Sequence, residues 1–262
     1  MMENKLLLNL IEDRYAKFQT SYSMVTTDFL DLAQQSAVNH FVRGHAKDGV
    51  FLYGGYEDAE RKQIVFAPDY LGVTTEEELI EHFVQNPEDC PLAVLDVKVG
   101  QKGATLKHSD YLGSLLSLGI KREKTGDIMV QQDGAQIFVA KEIAPYLAEN
   151  YFKAGRVPLT VKILPIAQLV VAKADIEQLK LVVSSVRLDN VVGAVFGLSR
   201  KLATEAITKG LVFVDSVETK KPDYFLKGGE KIVLRGKGKA VYNGTSGTSR
   251  KGKIYTNFER YI

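Results

Sequence analysis

Apolar residues recur at helical spacing at Leu6, Leu10, Ile11, Tyr15 and Phe18, which predicts a helix over residues 4–18. A second helix is expected from Thr27 or Asp28, either of which suits an N-cap, to about Asn39, with Phe29, Leu32, Ala33 and Ser36 inward. Gly49–Tyr53 and Lys62–Ala67 read as strands, the first followed by a Gly54–Gly55 turn and the second ended by Pro68. Thr75-Glu76-Glu77-Glu78 has capping-box form and opens a helix to about Val84, its three carboxylates complementing the positive end of that helix.

From Leu92 strands and helices alternate. Leu92–Val99 reads as a strand and Ser109–Leu118 as a helix, with Leu112, Leu115 and Leu116 inward and Gly119 as its cap. Asp127–Gln131 and Ala135–Ala140 read as strands around the hairpin dipeptide Asp133–Gly134, Lys141–Phe152 as a helix and Leu159–Leu164 as a strand. This β-α-β-β-α-β order is the ferredoxin-like split arrangement, used by many RNA-binding sheets and by many unrelated proteins. The paired aromatics of an RNA-recognition motif are not evident. Pro165–Glu177 reads as a connector.

Leu188, Val192 and Val195 then share a helical face, and after a Gly197–Leu198 turn Ser199 is placed to cap a further helix. Leu202, Ala203, Ala206 and Ile207 fall on one side of that helix; Arg200, Lys201, Thr204 and Thr208 fall on the other, and Gly210 ends it. Strands follow at Leu211–Asp215 and Lys231–Arg235. Along the latter and its extension Lys231, Val233, Arg235, Lys237 and Lys239 share one parity, and Ile232 and Leu234 the other, which predicts one basic and one apolar sheet face.

Composition adds exclusions. The chain has 262 residues, 45% of them hydrophobic and 25% charged, an ordinary globular balance. No apolar run approaches the roughly 20 residues of a membrane span, and the first residues lack a cleavage-site pattern, so a cytoplasmic location is expected. Cys90, the single cysteine, excludes an internal disulfide and a cysteine-cluster zinc site. No metal and no cofactor is expected: His40 and His45 lack ligating partners, His82 sits in a helix, and no Walker pattern or Ser-His-Asp arrangement occurs.

Charge changes the picture more. Residues 1–85 carry 7 basic and 14 acidic side chains, residues 86–186 carry 12 and 11, and residues 187–262 carry 15 and 7, so a net +2 conceals an acidic head and a tail of +8. Such a tail attracts polyanions. Arg200 and Lys201 stand at a helix N-terminus, where the dipole is already positive and acidic residues are favoured by about 0.3–1 kcal/mol each. Two cations there make sense if a phosphate binds them. With little aromatic interleaving, shape and phosphate reading of structured RNA is favoured over base stacking on a single strand. The candidate RNA-binding residues are Arg187, Ser199, Arg200, Lys201, Thr204, Lys209, Lys231, Arg235, Lys237 and Lys239. A second contact is expected from Lys98, Lys102, Lys107, Lys121, Arg122 and Lys124, with Gly100 and Gly103 admitting backbone close to a phosphate.

Arg187-Leu188-Asp189, Ser199-Arg200, Ala203, Ile207, Gly210, Val212 to Val214, Pro222 and Gly228-Gly229-Glu230-Lys231-Ile232 together resemble the RNA-binding domain named after ribosomal protein S4, with Asp215 where that domain usually has Asn. The whole chain is similar to the YlmH family of bacterial proteins. The residues that carry this are Tyr53-Gly54-Gly55-Tyr56 with Glu60-Arg61, His108-Ser109-Asp110-Tyr111-Leu112-Gly113, and Leu118-Gly119-Ile120-Lys121-Arg122-Glu123-Lys124 with Gly126-Asp127. The resemblance implies a cytoplasmic RNA-binding protein of Gram-positive-type bacteria, associated with cell division genes and linked to the rescue of stalled large ribosomal subunits carrying peptidyl-tRNA.

The expected architecture is α+β, with three domains. These are a small α/β N-terminal domain over 1–85, a ferredoxin-like middle domain over 86–165, and, after a connector over 166–183, an S4-type domain with a terminal β-hairpin over 184–262. The expected function is non-catalytic binding of structured RNA, rRNA or tRNA on the large ribosomal subunit. Two alternatives stand beside it. One is an RNA-modifying enzyme with its site in the first or middle domain, although Arg187-Leu188-Asp189 lacks the rest of a pseudouridine-synthase motif. The other is a division-associated adaptor that contacts proteins through its acidic head.

Overall fold

Two helices and three short strands build the first layer of the chain: α1 (Met2–Ser21), β1 (Val25–Thr26), α2 (Leu32–Gly44), β2 (Val50–Tyr53) and β3 (Gln63–Phe66). The computed structural model describes residues 2–100, 105–169, 176–249 and 252–261. The three short strands form an antiparallel sheet in the order β1-β3-β2. The cap of α2 is Asp31, not Thr27 or Asp28. Its carboxylate accepts from the Gln34 backbone N–H at 2.9 Å, and the Gln34 side chain accepts from the Asp31 N–H at 2.9 Å. Thr27 instead accepts from the Ile64 N–H, and Asp28 takes the Lys124 ammonium, so both are occupied by tertiary contacts. The later start moves the buried face of α2 to Gln35, Val38 and Val42. Thr75 caps α3 (Glu76–Gln85) as expected, accepting from the Glu78 N–H.

The middle elements are β4 (Leu92–Val99), α4 (His108–Ser117), β5 (Thr125–Gln131), β6 (Gly134–Ala140), α5 (Ala144–Asn150), β7 (Lys153–Ala154) and β8 (Val157–Leu164). Their sheet has the order β5-β6-β4-β8-β7, all neighbours antiparallel, which is the split β-α-β arrangement with a short added edge. The helix expected over Lys141–Phe152 is shorter. Pro145 has no N–H to give, so it fits only the first turn, and residues 141–143 form a 3-10 turn instead.

Both faces of this sheet are covered. Ala93, Leu95, Val97, Ile137 and Val139 pack with Tyr111 and Leu115 of α4 and Leu147 of α5. Leu92, Val94 and Phe138, of opposite parity, pack with Phe29, Phe51, Tyr53, Leu79 and Phe83 from the first 85 residues. Gly55 rests on Phe138 so closely that a Cβ would lie 2.5 Å from the ring. The boundary expected near residue 85 therefore does not divide the hydrophobic core: residues 1–171 form one compact unit and residues 172–262 a second.

The second unit contains β9 (Ile176–Val183), α6 (Leu188–Phe196), α7 (Arg200–Thr208), β10 (Val212–Val214), β11 (Val217–Glu218), β12 (Lys231–Leu234), β13 (Gly238–Thr248) and β14 (Ile254–Tyr261). They form an antiparallel sheet in the order β11-β10-β12-β13-β14-β9, with α6 and α7 on the face that carries Ile232, Leu234, Ala240, Tyr242 and Phe258. β13 and β14 are the expected terminal hairpin. Residues 176–183 fall within the span expected to be a connector, but they pair along their whole length with β14. As a half-exposed edge strand, β9 shows too weak an alternation to stand out in the sequence.

Candidate nucleic-acid interface

A buried carboxylate in the first turn of α6 is joined by side chain to the first residue of α7. The Asp189 side chain is 3% exposed. It accepts from Arg187 Nε at 3.1 Å and Nη2 at 3.0 Å, from Arg200 Nε at 3.3 Å and Nη2 at 3.2 Å, and from the Asn190 backbone N–H at 2.9 Å. Burial alone would raise the pKa of Asp189. The hydrogen bonds from the two guanidinium groups outweigh it and hold the carboxyl below its ordinary value. The same contacts raise the Arg187 pKa, the hydrogen bond to Asp189 first.

This arrangement accounts for the unfavourable placement of cations at the start of α7. Arg200 is answered by a carboxylate from the neighbouring helix while its side chain stays 67% exposed. The Arg200 guanidinium is thus fixed at one edge and open at the other, beside a partly exposed Arg187, a disposition that suits phosphate oxygens. Beside them Ser199 caps α7, accepting from the Leu202 N–H at 3.3 Å, and Lys201 is exposed. Thr204 follows one turn on, half-buried. Leu202, expected inward, is 51% exposed, because Ala203, Ala206 and Ile207 fill the inner face.

The remaining candidates do not all join this group. Lys209 caps the far end of α7, 3.9 Å from Glu205, and Gly210 ends the helix with a φ of +72° as expected. A nine-residue helix is ~13 Å long, so Lys209 is remote from Arg200. The chain does not run on straight beyond Leu234: it reverses through Arg235, Gly236 and Lys237, whose turn lies beside Leu211 through the Arg235 N–H to Leu211 C=O bond of 3.0 Å. Lys209, Arg235 and Lys237 therefore belong to the other end of α7. Lys239 pairs across with Val233 and Lys231 with Val241, on the sheet face away from the helices, where the Lys239 ammonium lies 4.4 Å from the Tyr261 ring centroid. The basic parity of the strand holds, but its face does not continue the helical surface.

The second candidate group is not brought together as a phosphate site. Lys98 pairs with Asp133 at 3.2 Å and Asp96 at 3.7 Å, and Lys124 with Asp28 and Glu142, both at 2.6 Å. The Arg122 guanidinium donates from Nη1 to the carbonyls of Thr125 at 2.6 Å and Gly126 at 3.1 Å; burial, with Arg61 nearby, lowers its pKa to about 10. Lys121 is exposed, 4.0 Å from Glu123, and Lys107 is exposed at the start of α4. Gly100 bonds to the Pro158 carbonyl. Lys102 and Gly103 lie outside the described residues. The β-sheet face that RNA-binding proteins of this topology often use is covered by the first 85 residues.

Sequence reasoning missed two features. Tyr56, the Glu60 N–H and the Arg61 N–H all donate to Asp127, and Arg61 reaches the carbonyls of Phe29 and Thr125. These family-motif residues fasten the first layer onto the middle sheet. The second is Phe225, 60% exposed, whose backbone bridges to Arg187. That bridge sets its backbone beside the start of α6, a proximity the sequence does not show.

Among the described residues no group of three His, Cys, Asp or Glu side chains is arranged to hold a metal ion, and no helix is long and apolar enough to cross a membrane.

Comparison with known proteins places these elements. Residues 86–168 match the family model for the RNA-binding domain in YlmH, and residues 186–232 match the S4 domain model. The chain is 31% identical over 242 residues to the ribosome-associated protein quality control protein P2 of Bacillus subtilis (strain 168), covering 92% of this chain and 89% of that one. Among solved structures it is similar to the cell division protein ylmH from Streptococcus pneumoniae. That likeness has 18% identity and a TM-score of 0.48, and it covers 65% of this chain and 96% of that one.

Proposed function

Since the chain belongs to the YlmH family and carries an S4 domain toward its C-terminal end, we infer that it captures structured RNA through the N-terminal ends of α6 and α7. The observation that carries this reading is the Asp189 carboxylate holding both Arg200, largely exposed, and Arg187, partly exposed. Lys201 adds a cation, Thr204 a hydroxyl and Phe225 a stacking face at the same end of the module. Lys209, Arg235 and Lys237 make an outlying phosphate contact, and Lys231 and Lys239 act from the opposite sheet face.

The RNA is rRNA or tRNA on the large ribosomal subunit, and the role is non-catalytic, in the quality control of stalled ribosomes. The relative named for ribosome-associated quality control, aligned over nearly the whole chain, supports this. A place in cell division and a cytoplasmic location follow from the same reading. Protein contacts fall to the acidic first 85 residues, and RNA contacts of the middle domain to exposed Lys107 and Lys121.

Crosslinking the protein to RNA in growing cells and sequencing the fragments tests the assignment. Fragments should come from large-subunit rRNA and tRNA, and should fall away in a Lys201→Glu variant. Crosslinks dominated by other RNAs, or unchanged by the substitution, refute it.

A further inference from the structure

One face of the C-terminal end of α1 opens into a groove of about 290 Å³ that no RNA contact explains. Tyr15, Phe18 and Tyr22 line one wall, at helical spacing, and Asp48, Asp69 and Val73 are among the residues opposite. The aromatic rings are set by packing: Phe18 stands 5.8 Å from Phe66, and Tyr15 meets His45 edge-on at 4.7 Å and donates its hydroxyl to Asp48 at 3.1 Å. Tyr22 closes α1 in the left-handed region, φ +48°, and stays 79% exposed. An aromatic residue there costs backbone energy that glycine would avoid, and its ring gains no burial in return.

Three features of this groove have one electrostatic sign. Two carboxylates line it with no Lys or Arg among the lining residues. The negative end of the α1 dipole lies beside it, and the last turn of α1 lacks the basic residue that would ordinarily answer that dipole. Aromatic faces attract cations through the ring quadrupole. RNA phosphates are repelled from such a place; an ammonium or guanidinium group is drawn in.

We propose that this groove is a docking site for a lysine or arginine side chain presented by a basic segment of a partner protein. The aromatic wall receives the aliphatic stem and the cation's face, and Asp48 and Asp69 pair with its charged head. The inference deepens the assignment of protein contacts to the acidic first 85 residues and is independent of RNA binding at α6 and α7.

The test uses the full chain and a decapeptide of alternating Arg and Gly, with a Glu–Gly decapeptide as control, followed by calorimetry and by the ring resonances of labelled tyrosines. The Arg–Gly peptide should bind and shift the Tyr15 and Tyr22 rings, and the control should not. Asp48→Asn with Asp69→Asn, and separately Tyr22→Ala at its exposed position, should each weaken binding at least 10-fold. Lys201→Glu should leave peptide binding unchanged even where it abolishes RNA binding. Absence of binding, equal affinity in the Tyr22→Ala and double-Asn variants, or ring shifts produced by an RNA hairpin rather than by the peptide each overturn the proposal.

Discussion

Arg200 reaches back from the first turn of α7 to the buried carboxylate of Asp189 in α6, with Nη2 3.2 Å from Oδ2, and Arg187 meets the same oxygen at 3.0 Å. The acid belongs to the proposed interface as much as the bases it orients. Counting charges alone, Asp189→Asn should strengthen RNA binding, because it removes a negative charge. The geometry leads to the opposite expectation. Asn accepts with one oxygen and no charge, so both guanidinium groups lose the charged anchor that holds them. Hydrogen bonds to a charged group contribute about 1.5–3 kcal/mol, so the variant should be less stable. Thermal denaturation should show the loss, and RNA titration at a temperature where the variant is folded should show weaker affinity. Tighter binding by Asp189→Asn would mean that the arginines act only through net charge.

Lys201 permits a cleaner test of electrostatic capture than Arg200, whose replacement by an acid would place two carboxylates together at Asp189. Lys201 is exposed in the first turn of α7. Lys201→Glu should leave the melting temperature nearly unchanged and weaken RNA binding by about 10-fold. The log–log dependence of affinity on salt should be steep in the parent, with roughly 0.7–0.9 of slope for each neutralised phosphate, and about one unit shallower in Lys201→Ala. A flat salt response would contradict capture by phosphate contacts.

Phe225 tests whether the interface also reads bases. Its side chain is 60% exposed and its backbone pairs with Arg187, so Phe225→Ala removes little buried area. A base stacked on the ring contributes ~1–3 kcal/mol, so the variant should bind RNA 5-fold or more weakly at unchanged stability. The salt slope should be unchanged, because no phosphate contact is lost. Unchanged affinity would confine recognition to the backbone.

The first unit offers a contrast between cations that hold the fold and cations left at its surface. Arg122 spans the carbonyls of Thr125 and Gly126, and Lys124 pairs with Asp28 and Glu142. Arg122→Ala takes a donor from each carbonyl; Thr125 keeps Arg61 Nε at 2.9 Å, while Gly126 loses its Arg122 bond, at about 1–3 kcal/mol for a buried group left unpaired. It should lower the melting temperature by several degrees; Lys121→Ala, at an exposed position, should not. Equal melting temperatures for the two variants would show that Arg122 does not hold the junction.

What the sequence revealed and what it hid differ by the range of the cause. The Ser199 cap, the Gly210 stop, the Thr75 cap and the split β-α-β order depend on neighbours within a few residues, and periodicity displays them directly. The hidden features depend on distant partners. Asp31 rather than Asp28 caps α2 because Asp28 is claimed by Lys124, 96 residues on. The core shared across residue 85 depends on Gly55 lying against Phe138. Lys231 and Lys239 share the expected face, yet Arg235 to Lys237 turn the chain back, and alternation cannot distinguish a straight extension from a tight reversal. Of the interface, the cations at α7 were legible as a broken local rule. The buried acid that reconciles them, and the aromatic face of Phe225, required the fold.

Acid titration isolates the Asp189 anchor. Its carboxyl titrates below its ordinary value in the folded chain, since the hydrogen bonds from Arg187 and Arg200 outweigh the opposing effect of burial. The unfolded chain binds its proton near pH 3.9. Between the two values the unfolded state holds more protons than the native state, so stability rises with pH across that window. The contribution of Asp189 is therefore complete above about pH 5 and is lost as the pH falls through the folded-state value. Other carboxylates titrate over the same range, so the informative quantity is the difference between the parent chain and Asp189→Asn. That difference in melting temperature should be largest at neutral pH and should shrink steadily below pH 4, as protonation leaves the native aspartic acid no better an anchor than the amide. Curves that stay parallel from pH 7 to pH 3 would show that the paired arginines are held by something other than the charge of Asp189.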